Sequence, residues 1–196
     1  KFIDTRTIET QGTVTWTGGD IYAANGAIWN NTATGVFDIQ SDRSFYHWYG
    51  NRPIFNNAGI LKKTAGTGTT TIHAALNNTG LIQVQTGTLN LQGGGTSSGI
   101  FEVDSGASLV FGGGTYSLTG GSVITDNLIS AATILLTGAN IRGASVSDAF
   151  NNVTISGGSL TLNQTVSAIN NLAVSNNGSL TFDETVNSIS NLTLSG

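Results

Sequence analysis

The chain has 196 residues, of which 38% are apolar and only 9% charged, with 27 glycines, one proline, no cysteine and a net charge of −4. Low charge with many β-branched residues is the reverse of a disordered composition, and seven scattered Lys and Arg form no basic patch for nucleic acid. Without cysteine there is no disulfide or thiolate metal site, and no apolar run approaches the ~18 residues of a membrane span, so no membrane insertion is expected.

Taken in chain order, the first ten residues, KFIDTRTIET, carry Lys1, Asp4, Arg6 and Glu9. They are expected to act as a partial polar cap, because charge discourages pairing at a strand edge. Four phrases of one form then recur: GVFDI (35–39), GILKK (59–63), GLIQV (80–84) and GIFEV (99–103), at spacings of 24, 21 and 19. Aligned, they put Phe37, Leu61, Ile82 and Phe101 in one interior row and Ile39, Val84 and Val103 in another. Lys63 interrupts the second row and is expected at a bend, with its ammonium snorkelling outward. Asp38 and Glu102 align at one outward, solvated site with Lys62 and Gln83 between them.

SDRSFYHWYGNRPIF (41–55) departs from this pattern as an aromatic-rich insertion. It concentrates Arg43, Phe45, Tyr46, His47, Trp48, Tyr49 and Arg52 beside the single proline, Pro53. Long excursions from a rigid scaffold are where binding functions concentrate. Arg43, Tyr46, His47, Trp48, Tyr49 and Arg52 are therefore candidate ligand contacts, for stacking on sugar rings and bonding their hydroxyls. The alternative is a flap of aromatics packed over the scaffold. His73, after the TTTI run, is expected to be solvated.

A second phrase, an apolar residue followed by small amides, recurs as FNNAGI (55–60), LNNTGL (76–81), FNNVTI (150–155), INNLAV (169–174) and ISNLTL (189–194), with WNNT (29–32) a looser copy. Phe55 to Leu76 is 21 residues, Phe150 to Ile169 is 19 and Ile169 to Ile189 is 20. Beside it run GTLNL (87–91), GASLVF (106–111), GGSLTL (157–162) and NGSLTF (177–182). A period near 20 with three short alternating strands per repeat is too short for a propeller blade of about 40 residues and fits a solenoid coil. The expected fold is all-β: a single parallel β-helix, or β-solenoid, over residues 1–196, with three short strands per coil of about 19–24 residues and roughly nine coils. Leu160, Leu162, Val174, Leu180, Phe182, Leu192 and Leu194 should point inward, and Thr161 and Thr181 outward. The Asn pairs are expected at corners, where Asn tolerates left-handed backbone, with amides laddered from coil to coil as in cross-β stacks. This ladder comprises Asn56, Asn57, Asn77, Asn78, Asn151, Asn152, Asn170, Asn171 and Asn191.

The tract NNTGLIQVQTGTLNLQGGGTSSGIFEVDSGASLVFGGGT (77–115), with GTVTWTGGDIYAANGAIWNN (12–31) and GTGTTTI (66–72), resembles β-helical repeat tracts of very large bacterial surface and secreted proteins of the adhesin type. The likeness covers roughly residues 5–125 and weakens after Asp126. It implies a right-handed β-helix, an extracellular or cell-surface setting, and no catalytic residue that could be carried over. No signal peptide is visible at Lys1, and SNLTLSG (190–196) places two inward leucines in the last coil. The chain is therefore expected to be a piece of a longer protein, with the stack continuing beyond Gly196 or meeting another chain end to end.

No reaction chemistry assembles from these residues. Two histidines without cysteine exclude a His/Cys zinc site, and GGGTSSG (93–99) lacks the Lys-Ser/Thr ending of a phosphate loop. Eleven carboxylates are thinly spread, whereas a glycosidase needs two held about 5–10 Å apart across a cleft. The expectation is a non-enzymatic structural or adhesive module without cofactor or metal, acting as a stalk or fibre segment with a glycan or surface ligand as partner. The alternative is a carbohydrate-active β-helix, a polysaccharide lyase or glycosidase.

Overall fold

Strands of three to seven residues follow one another around a coil, because apolar and small polar residues alternate in short runs closed by Gly or Asn turns. The computed structural model describes residues 1–104, 106–118, 123–126, 133–137, 140–144, 150–156, 159–162, 168–182 and 185–196. Side chains are described for 1–104, 106–117, 154–155, 168–182 and 185–196. Among these residues there is no helix, and strands pair in parallel with their equivalents one coil later. The protein is a β-solenoid.

Three sheets form its sides. The first face has ten strands, from Phe2–Asp4 through Ile21–Ala24 and Phe45–His47 to Ile189–Leu194. The second has nine, from Thr7–Thr10 to Ser179–Phe182, and the third has six, from Thr13–Trp16 to Val123–Asp126. Complete three-sided coils therefore number six among the described residues, fewer than the roughly nine expected.

The interior rows stand as the spacing implies. Phe37 pairs with Leu61, Leu61 with Ile82 and Ile82 with Phe101, all buried. Ile39, Lys63, Val84 and Val103 form the neighbouring row. Lys63, however, does not snorkel. It is 0% exposed, and its ammonium donates to Asp42 Oδ1 at 2.7 Å, to the Ala65 carbonyl at 3.0 Å and to the Ser41 carbonyl at 3.2 Å. An unpaired buried ammonium would be costly, and this one is neutralised and fully bonded. The Asp42 carboxyl is held below its ordinary range, chiefly by the hydrogen bond from Lys63. Asp38 also departs from expectation: it keeps the outward register with Lys62, Gln83 and Glu102 but is buried under Gln40 and Thr64, which donate to it at 2.9 and 2.6 Å.

The Asn pairs sit inside strands, not at left-handed corners. Asn56–Asn57 closes Ile54–Asn57 and Asn77–Asn78 closes Ala75–Asn78, while left-handed non-glycine backbone falls at Thr5, Asn25, Asn176 and Asn177. Strand alternation sends the two amides of each pair to opposite sides, so two ladders form. Inside, Asn31 donates to Asn57 at 2.7 Å, Asn57 to Asn78 at 2.8 Å and Asn78 to the Ser97 hydroxyl at 3.2 Å. Outside, Thr96 donates to Asn77 at 3.1 Å, Asn77 to Asn56 and Asn56 to Asn30, each at 2.9 Å. Donation climbs the inner ladder and descends the outer one, so their dipoles oppose. The inner amides also bond carbonyls of the next strand, as Asn31 does Ile60 and Asn57 does Leu81, both at 3.0 Å. Buried asparagine is tolerated here because its amide donors meet acceptors within the protein.

Beside the inner ladder the glycines of the Gly-apolar phrases stack. A Cβ at Gly59 would collide with the Gly35 carbonyl, one at Gly80 with that of Gly59, and one at Gly99 with that of Gly80. Close backbone approach, rather than unusual φ, requires glycine at this turn.

Nearer the C-terminus Val174, Leu180 and Phe182 pack against the core and Thr181 is exposed. Leu192 and Leu194 are in register with Leu172 and Val174 yet 55% and 70% exposed, against the interior place expected for them, because Ile189–Leu194 is the last strand of its face. The side chains of Asn151, Asn152, Leu160, Thr161 and Leu162 lie outside the described ones.

Candidate functional site: an aromatic corner

The 41–55 stretch is threaded into the coil rather than looped off it. Phe45–His47 is a regular strand of the first face and Ile54–Asn57 one of the second. Phe45, Pro53 and Phe55 are buried, Phe45 and Phe55 against Trp29. The excess length is thus confined to a corner at 48–53, anchored at both ends by core side chains. It is also laced to the turn one coil below: Trp48 N–H donates to the Ala23 carbonyl at 2.8 Å, Asn25 N–H to Tyr49 at 3.0 Å and Gly26 N–H to Asn51 at 2.8 Å. Gly50 has φ 71° and lies where a Cβ would strike the Asn25 side chain, so the corner has little room to rearrange.

Alternation inverts the roles of neighbouring aromatics. Phe45 goes to the core and Tyr46 outward, in register with Tyr22 and, through it, Phe2. Tyr46 stacks on Tyr22, with centroids 5.3 Å apart and planes 16° apart, and on His73, at 5.3 Å and 17°. His73 is accordingly half-buried rather than solvated, and desolvation and then the positive Arg52 hold its pKa down. These column rings spend their faces on one another.

Phe2, 57% exposed, Trp48 and Tyr49 escape that fate. Trp48 is 60% exposed and meets Tyr22 edgewise, at 5.1 Å and 81°. Tyr49 is 44% exposed and has Phe2 on one side, at 6.3 Å and 30°. All three therefore present open ring surface. The other tryptophans, Trp16 and Trp29, are buried.

The polar groups around these rings divide by charge. Asp4 Oδ2 accepts from the Tyr49 hydroxyl at 2.9 Å and Oδ1 from Asn25 at 2.8 Å. Asp20 Oδ1 accepts from Ser44 N–H at 3.0 Å and Oδ2 from the Tyr22 hydroxyl at 3.4 Å. The hydrogen bond to Asp4 raises the Tyr49 pKa, and desolvation followed by the Asp20 charge raises that of Tyr22. His47 Nε2 lies 2.9 Å from the Gly50 carbonyl. Arg52 donates once, from Nη1 to the His73 carbonyl at 2.8 Å, and its side chain is otherwise exposed, as is that of Arg43.

Of the six residues singled out by sequence, the structure brings Tyr46, His47, Trp48, Tyr49 and Arg52 to one corner, and Arg43 lies at the turn entering the same strand. Sequence reasoning missed Phe2, Tyr22, His73, Asp4 and Asp20. A signal existed for Tyr22: it precedes Tyr46 by 24 residues, the coil length at that point. Among the described residues no three His, Asp or Glu side chains gather as a metal site. No protein-family model matches the chain, and no curated protein or solved structure matches it significantly.

Proposed function

We propose that this chain is a non-catalytic structural and adhesive β-solenoid module of a bacterial cell-surface or secreted protein, a stiff stalk or fibre segment whose 48–53 corner binds glycans. The carrying observation is Trp48: an aromatic face open to solvent on a corner pinned by buried Phe45 and Phe55. A free indole face over which a pyranose can lie is worth most when the protein does not have to order it first. The stacked coils, at ~4.8 Å per level, make a rod on the order of 40 Å that holds this corner at a fixed height. The extracellular setting is supported by the resemblance to adhesin repeat tracts.

A lyase or glycosidase reading draws no support from the carboxylates. Asp38 and Glu102 are three rungs apart, and both oxygens of Asp4 and of Asp20 are bonded within the protein. Screening the purified chain on a glycan array tests the proposal. Binding that is lost in Trp48→Ala is the expected result. Absence of binding, or depolymerisation of a polysaccharide that a single carboxylate substitution abolishes, would overturn it.

A further inference from the structure

The charge inventory of the corner is lopsided in a way that the net charge of −4 conceals. Asp4, Asp20 and Asp42 have both carboxylate oxygens engaged by protein donors: Tyr49 and Asn25, Tyr22 and Ser44, and Lys63 and Gly68 respectively. None has an oxygen left without a partner. The cations are in the opposite condition. Among the described residues the sole ion pair is Lys63–Asp42, so neither Arg43 nor Arg52 has a carboxylate partner.

Arg52 is the better placed of the two. Its bond to the His73 carbonyl fixes the guanidinium while using one of five N–H donors. That leaves a planar fork whose geometry matches a carboxylate, with part of the ordering cost already met. Trp48 meets Tyr22, one coil below, and Arg52 bonds the carbonyl of His73, one coil above, while Tyr46 stacks between the Tyr22 and His73 rings.

We infer that the ligand of this corner is an acidic saccharide, with Trp48 stacking on a sugar ring and the Arg52 fork receiving a carboxylate. The inference rests on the saccharide reading of the site and adds the charge class and the residue that reads it.

Calorimetric titration of the 196-residue chain with uronate and sialate oligosaccharides, each paired with its uncharged methyl-ester counterpart, separates the two. The acid form should bind at least about ten-fold more tightly than its ester. Arg52→Gln should erase that difference, and Arg52→Lys should restore only part of it, since charge returns without the fork. Trp48→Ala should weaken both forms. Equal binding of acid and ester, or an acid preference untouched by Arg52→Gln, overturns the acidic assignment and leaves the saccharide reading standing. Failure of every acid and every ester to bind overturns both. Arg52 and Trp48 are exposed, so unchanged melting temperatures will verify that the variants are folded.

Discussion

Up to Asp126 each coil lays down three strands, and the Asn-Asn phrase falls on the second face, at Phe55–Asn57 and Leu76–Asn78. From Thr133 to Leu194 the described strands belong to the first and second faces only, and the same phrase falls on the first, at Phe150, Ile169 and Ile189. The Gly-x-Leu phrase makes the opposite move, from the first face at Leu89 and Leu109 to the second at Leu160 and Leu180. Both regions keep a period near 20. Period measures the length of chain needed to climb one level, whereas the side on which a phrase lands depends on how the coil is divided into strands. Burial follows the division: paired amides lie inside at Asn57 and Asn78, but Asn171 and Asn191, although bonded at 2.9 Å, lie outside.

This contrast can be broken by mutation. The largest effect should come from Leu61→Ala, which empties a fully buried place in a three-sided coil and should cost roughly 2–5 kcal/mol in urea unfolding. Leu180→Ala, at a half-buried place, should cost under about 2 kcal/mol. Equal costs would erase the distinction between the regions. Next is Asp42→Ala, which strips the buried Lys63 ammonium of its counter-charge and should cost on the order of 3 kcal/mol by thermal or chemical denaturation. The Asp42 carboxyl titrates below its ordinary value near 4. Its contribution is therefore complete above that value and lost as pH falls through the lowered native one. Stability profiles of the wild type should fall in that acid range by a component missing from Asp42→Ala.

Smaller again is the ladder. Asn57→Ala removes the buried bonds that Asn57 accepts from Asn31 and donates to Asn78 and the Leu81 carbonyl, at about 1–3 kcal/mol. Asn191→Ala removes an exposed rung and should fall within about 0.5 kcal/mol of the wild type. Melting temperatures of the two variants, measured side by side, check this.

The sequence disclosed what repeats and concealed what is paired only in space. Phe37, Leu61, Ile82 and Phe101 were legible as an interior row because alternation and spacing agree. The amide ladders were legible as a recurrence, but Asn56 and Asn57 read as a corner because Asn favours left-handed turns; the same alternation that sends Phe55 inward also sends Asn57 inward. Lys63 was placed in the right row with the wrong exposure, since its partner Asp42 lies 21 residues earlier at a turn that no periodicity marks. At the site, the aromatic cluster was visible as composition. The division of labour within it was not: Tyr46 gives its faces to Tyr22 and His73, whereas Trp48 and Tyr49 keep open ring surface.

Of the three tryptophans only Trp48 is exposed, so a saccharide-induced change in tryptophan emission reports on the proposed site. In titrations with saccharides that the chain binds by calorimetry, emission should change saturably, with the same dissociation constant, and the change should vanish in Trp48→Phe while the signal of the buried Trp16 and Trp29 persists. Calorimetric binding of a saccharide with no change in tryptophan emission would contradict the account.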